Sequence, residues 1–329
     1  MERTSVFRRM AAVALALTLL TGAAAQAEPY QAEMGDVKFD LEYEVPTVEA
    51  LPDLSFTPVN YRENGEAIAE RLWVGEIPAP KEDDDDSIYY TGQRQELTCM
   101  SDGSVLFYTE PAYYIEKTWL FTVTARQTTE GAELSWMTRE QAGEAALELL
   151  KETFGLDGME VRSVVGMDVA LYTELFAEPS TDRDWVQDDL AYLVYARGEW
   201  KGIPFFAGNL QFRFHSEQPF LLTGPAAVVL LMEDGVRGMI LERGFEFEEA
   251  GEAAKLISME EAAKLLADRK NSDEYDQKQT VWSAELCYSV LPEEGRAHPY
   301  WCFTSELDGS HFFFYEFVDA VTGQTVVLE

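Results

Sequence analysis

The chain has 329 residues, 25 Lys+Arg against 60 Asp+Glu and a formal net charge of −35, with 47% hydrophobic and 12% aromatic residues. That apolar share supports a sizeable buried core and excludes a disordered chain, and the length suggests roughly two domains, or one domain and an arm. The charge excludes nucleic acid as the leading partner, because binding phosphates needs clustered Lys and Arg. It also argues against adhesion to anionic lipid, and three His with three scattered Cys are little material for a metal site.

Arg3, Arg8 and Arg9 precede an apolar run from Met10 to Leu20, and small residues follow, ending Ala25-Gln26-Ala27. A basic n-region, an h-region and an A-x-A site read as a signal peptide over residues 1–27, cut between Ala27 and Glu28. The alternative is an uncleaved segment that anchors the protein, although the apolar run is short for a span of ~20 residues. Cleavage removes three Arg and one Glu, so the 25 basic and 60 acidic residues become 22 and 59. Beyond the leader the best candidate span, Leu221–Met232, is broken by Thr223-Gly224-Pro225. The expectation is a secreted protein, kept soluble by its charge, with no membrane span after cleavage.

Residues 28–135 read as a β-rich arm. Asp36 to Val45 alternates, with Val37, Phe39, Leu41, Tyr43 and Val45 on one face, which predicts a half-buried strand. Prolines 46, 52 and 58 keep the chain extended. Glu63 to Val74 predicts a short helix with a stripe of Ala67, Ile68, Leu72 and Trp73, ended by Gly75. An acidic linker near 78–87 contains Asp83-Asp84-Asp85-Asp86. Gln95–Met100 and Ser104–Thr109 flank Asp102-Gly103, a hairpin signal, and Tyr113–Ala125 supplies a further strand.

Residues 136–255 read as a first helix-plus-sheet unit. Thr138 with Gln141 makes a capping box, and Ala142, Ala145, Ala146, Leu149, Leu150 and Phe154 follow at helical spacing to Gly155. The expected strands are Met159–Leu171, Asp189–Arg197, Ile203–Phe214, Ala226–Met232 and Gly235–Phe247. Residues 256–329 repeat the plan. Ser258 with Glu261 opens a helix striped by Ala262, Leu265 and Leu266, and strands follow at Thr280–Leu291, Tyr300–Leu307, His311–Asp319 and Gln324–Leu328. Thr138–Ala142 aligns with Ser258–Ala262 at a shift of 120, and Gly202-Ile203-Pro204-Phe205-Phe206 resembles Ala297-His298-Pro299-Tyr300-Trp301. The fold class is α+β, with each helix laid across an antiparallel sheet to bury both apolar faces. If Cys287–Leu291 pairs with His298–Cys302, then Cys287 lies opposite Cys302. A cross-strand disulfide and a pair of free thiols both remain open.

The last strands read Phe317-Val318-Asp319-Ala320-Val321-Thr322-Gly323-Gln324-Thr325-Val326. With the capped helix before them, they resemble the PepSY-type (peptidase-propeptide) module, which typically ends in an Asp-Ala-x-Thr-Gly turn between two strands. The match covers residues 256–329 and, more loosely, 136–250. The layout of a Pro-rich arm before two such units resembles the YycH/YycI group of extracytoplasmic regulators and uncharacterised secreted bacterial families. The resemblance implies two PepSY-like or cystatin-like units and a role in binding or inhibiting other proteins. Those regulators usually keep a membrane helix, and here a cleavage site stands instead. Asp319, Thr322 and Gly323 have a structural explanation of their own. Asp accepts from backbone N–H groups further along the turn, and Gly supplies φ > 0.

No G-x-S-x-G, H-E-x-x-H, P-loop or G-x-G-x-x-G occurs. His215, His298 and His311 have no ligand-spaced partners and read as surface or turn residues. No catalytic, metal-binding or cofactor-binding residue is assigned. Dense aromatics remain: Tyr300, Trp301, Phe303, Phe312 and Phe314 are candidates for a partner-contact patch, unless the arm covers them. The expectation is a non-enzymatic binding or regulatory protein of the bacterial envelope, contacting an unknown protein or peptide. The alternatives are an extracellular hydrolase with paired carboxylates and, more weakly, an acidic surface that binds cations.

Overall fold

The structure is a computed structural model, and it describes residues 30–42, 48–82, 86–109, 112, 131–175, 190–207, 224–272, 278–291, 294–308 and 313–326. In chain order these form β1 (Tyr30–Met34), β2 (Val37–Glu42), β3 (Ala50–Pro58), α1 (Gly65–Leu72), β4 (Lys81–Glu82), β5 (Ser87–Gly92), β6 (Gln95–Met100) and β7 (Val105–Tyr108). Then come α2 (Arg139–Phe154), β8 (Met159–Met167), α3 (Val169–Leu175), β9 (Ala191–Trp200), β10 (Ile203–Pro204), β11 (Ala226–Met232), β12 (Gly235–Glu242) and β13 (Phe245–Lys255). Last are α4 (Met259–Lys270), β14 (Gln279–Leu291), β15 (Arg296–Leu307), β16 (Phe313–Asp319) and β17 (Thr325–Val326). The protein is α+β, with two sheets and few helices.

One sheet runs β1-β2-β14-β15-β16-β17, with β13 paired to β3 and β3 to β15. The other runs β10-β9-β11-β12-β7-β6-β5-β4, with β8 beside β9. The arm expected at 28–135 is therefore no separate layer. Its first part adds β1, β2 and β3 to the C-terminal sheet, and its second part adds β4 to β7 to the middle sheet. The strand β2 runs parallel to β14, with Val37 opposite Gln279, and so buries Val37, Phe39 and Leu41. Likewise the strand expected at 235–247 divides at Arg243-Gly244, where the chain passes between sheets. A Cβ on Gly244 would stand 2.4 Å from Tyr61 Oη, so only glycine fits that close approach.

The helices follow their caps. Thr138 makes the full reciprocal box with Gln141, and Gly155 ends α2 at φ 70. Ser258 accepts from the Glu261 N–H to start α4. The helix α2 buries Ala142, Ala146, Leu150 and Phe154 against one face of the middle sheet. The helix α4 buries Met259, Ala262, Ala263, Leu266 and Ala267 against one face of the C-terminal sheet. In α1 the buried stripe is Ile68, Ala69 and Leu72, not Ala67. The strand expected to run to Leu171 stops at Met167, because Asp168 Oδ1 accepts from Leu171 N at 2.8 Å and opens α3. The expected strand Tyr113–Ala125 lies outside the described residues, as do the leader, Asp83–Asp85, His215 and His311. Among the described residues no helix is long and apolar enough to cross a membrane.

Candidate functional site

Three residues of the candidate aromatic patch, Tyr300, Trp301 and Phe303, are buried. Trp301 is buried beside α4, its Nε1–H donating to the Ile257 carbonyl at 3.1 Å. Phe303 packs edge-on against Phe39 of β2, centroids 6.3 Å apart. Tyr300 faces the other side of the sheet, buried with Phe206 and Phe317. Strand alternation sends these rings to two faces, and both faces are occupied. Phe314 stands in β16 opposite Ser305, and Phe312 lies outside the described residues. The Cys pairing also differs from expectation. Leu291 pairs with Arg296, so the connection is shorter, Cys287 lies opposite Tyr300, and Cys302 lies opposite Glu285. The two thiols are free and buried, and the register makes them diagonal neighbours, not a directly opposed pair. Burial pushes the Cys302 thiol well up, helped by the Cys287 thiol beside it.

His298 is no surface residue. β3 covers the edge of β15 at Arg296 and Ala297, and β16 covers the same edge from Tyr300 onward. His298 and Pro299 fall in the gap. Pro299 turns its carbonyl to that edge, where Ala320 N donates to it, so its missing N–H leaves no ladder bond broken. His298 Nδ1 lies 2.5 Å from Asp53 Oδ1 and Nε2 lies 3.1 Å from Asp319 Oδ1. Burial pulls the imidazole pKa down, but the two carboxylates overcome it, so His298 titrates above its ordinary value. Asp319 is held far below the usual carboxylate range. Burial opposes that, and the His298 contact and the Thr322 and Val321 N–H groups prevail. The Asp319–Gly323 turn is formed as expected, with Gly323 at φ 75. The Nε2 approach lacks hydrogen-bond geometry, so Asp53 holds the ring by a hydrogen bond and Asp319 holds it by charge proximity. His298 is a clamp between β3, β15 and the turn after β16.

Where the two sheets meet there is a cleft of about 70 Å³. Two β-bulges shape it. In β8 the register shifts between Val161 and Ser163, and in β14 between Val281 and Ser283. The extra residues are Arg162 and Trp282, and both line the cleft. A bulge re-aims a side chain and bends its strand. Here it leaves the Trp282 ring 45% exposed, one of three large exposed apolar side chains among the described residues. Buried Tyr195, Phe206 and Cys302 line the same space, and partly buried Tyr315 completes it.

The base of the cleft is ionic. Arg197, only 8% exposed, donates from Nη1 and Nη2 to the two oxygens of Glu285, both at 2.6 Å, and from Nε to Glu160 at 2.5 Å. That fork joins β9 and β8 to β14, and thus one sheet to the other. Burial opposes both charges, but the pair holds Arg197 up and Glu285 down. Arg162 reaches only 3.9 Å from Glu285 Oε1, which is charge proximity and not a hydrogen bond. Among the described residues no group of three His, Cys, Asp or Glu could hold a metal.

None of these residues stood among the sequence candidates. Two signals were present. Val161-Arg162-Ser163 and Val281-Trp282-Ser283 are 120 residues apart, the same shift as the two helix caps. Arg197 ends an otherwise apolar run, Ala191 to Ala196, where a lone charge needs a partner. The second expected correspondence fails. Ile203-Pro204 folds back on β9 as β10, whereas His298-Pro299 lies inside β15.

No family model matches this sequence, and no curated protein matches it. Among solved structures it is similar to an uncharacterised protein from Eubacterium rectale, at 15% identity and a TM-score of 0.63, covering 90% of this chain and 92% of that one. That likeness shows the fold alone.

Proposed function

We propose that this is a secreted, non-enzymatic binding protein built on one helix-plus-sheet plan used twice, which holds a peptide segment of a partner in the cleft between the two sheets. The carrying observation is Trp282, an exposed ring placed by a bulge on the rim of a polar-based cleft. Exposed aromatics beside Arg are the usual anchors of protein contacts. The twofold plan is supported by order and position. After α2, β8, β9, β11 and β12 pair in sequence, and after α4, β14, β15, β16 and β17 do the same, all antiparallel. Each first strand carries its bulge at the same offset from its helix cap. The PepSY-type ending is supported by the formed Asp319 turn, and export by the leader pattern of residues 1–27.

The hydrolase reading needs a carboxyl group in the cleft that can give up a proton. Glu285 lines the cleft, but its pKa is lowered and both oxygens are taken by Arg197. The test is peptide-display selection against the protein and against Trp282→Ala. Peptides enriched by the native protein and lost with the variant support the reading. Selection that enriches nothing dependent on Trp282 overturns it.

A further inference from the structure

The chemistry of the cleft narrows its occupant. Glu285 is already paired, because Arg197 binds both of its oxygens at 2.6 Å. Arg162, 46% exposed on its side chain, is left with the 3.9 Å approach as its charge contact among the described residues. Its guanidinium carries five N–H donors in a fork that matches a carboxylate. Trp282, 45% exposed, lines the same cleft. The enclosed space, about 70 Å³, takes a few heavy atoms and no more than one small group. The rest of an occupant has to lie on the open rim, over the ring.

We infer that the cleft recognises a peptide-borne carboxylate next to a flat side chain, with the carboxylate on Arg162 and the flat group on Trp282. This rests on the binding reading above and names its ligand class. The bulges are what make it possible. In a regular strand alternation fixes each side chain's face, and the extra residue at each bulge lets a side chain be re-aimed toward the seam between the sheets.

The test uses the full chain with N-acetyl-L-tyrosine, its neutral amide and acetate. Binding is read from the indole N–H resonance of Trp282, assigned by its loss in Trp282→Phe. The expected result is a saturable shift with N-acetyl-L-tyrosine, at least tenfold weaker binding of the amide, and no saturable shift with acetate alone. Arg162→Gln should bring the carboxylate down to the level of the amide. Arg71→Gln, remote on α1, should change nothing. Equal binding of acid and amide, a preference that survives Arg162→Gln, or no saturable shift with any probe overturns the inference. Failure here is distinguishable from failure of the binding reading. Selected peptides that depend on Trp282 but carry no carboxylate near a flat side chain would leave the binding reading standing and remove this one.

Discussion

Two charge clusters hold this molecule together, and they differ in one respect. At the gap in the C-terminal sheet, buried His298 lies between Asp53 and Asp319, and Arg296 also binds Asp53 at 2.5 Å. At the seam between the sheets, Arg197, Glu160 and Glu285 are well matched, but Arg162 stands beside them with only a 3.9 Å charge contact among the described residues. The first cluster is buried within one sheet and ties its strands together. The second holds strands and also leaves a charge facing a cleft. Buried ion pairs alone therefore say little about function. What separates structure from recognition is whether a charged group is exposed: the Arg162 side chain is 46% exposed and the His298 side chain 9%.

The largest expected effect falls on the shared member of the second cluster. Arg197→Met should destabilise by about 2–3 kcal/mol in urea unfolding, since it strands Glu285 and Glu160 near the seam. The cost is below that for a fully buried pair because Glu285 is about one-third exposed. Arg197→Met with Glu285→Leu should recover part of that loss, because Glu285 is no longer stranded, while Glu160 and Arg162, each over one-third exposed, keep water contact. A double variant as unstable as the single one would mean that the fork itself, and not the stranded charge, carries the stability.

His298→Gln probes the first cluster, with an expected loss of about 1–2 kcal/mol at pH 5. The folded pKa of His298 lies above its ordinary 6.5, so its contribution is whole below that pH and is lost as pH rises through the folded value. Asp319 is held below its ordinary 3.8, so its contribution is present above that pH and fades as pH falls. The difference between native protein and variant should be greatest between those two values and should shrink towards pH 9. Unfolding curves at several pH values check this, and a difference independent of pH would remove the charged clamp. The smallest effect belongs to Arg162→Gln, which should change stability by no more than ~0.5 kcal/mol. A large loss there would place Arg162 in the structural cluster and erase the contrast.

Much of the fold could be read locally. The box at Thr138 and Gln141, the cap at Ser258, the Asp102-Gly103 hairpin and the Asp319–Gly323 turn each involve groups within a few residues of one another. The sheet partners could not. Val37, Phe39 and Leu41 show an apolar face, and nothing in their pattern says that it lies beside residues 279–283. The same holds for Asp53, which meets His298 only because β3 and β16 share one edge of β15. The aromatic run near residue 300 is left open by the sequence for a related reason. Its density is visible in the sequence, but β2, α4 and Phe206 cover it from distant parts of the chain.

The sequence by itself determined the α+β class, the two capped helices and the turns, because caps, turns and hydrophobic periods are satisfied over short spans of chain. Tertiary structure decided which strands share a sheet, which aromatics stay wet and which charges stay exposed. Those outcomes depend on contacts between residues far apart in the chain. Trp282 and Arg162 carry the lesson. Each is an ordinary residue in an alternating strand until a bulge and a second sheet put both on one rim.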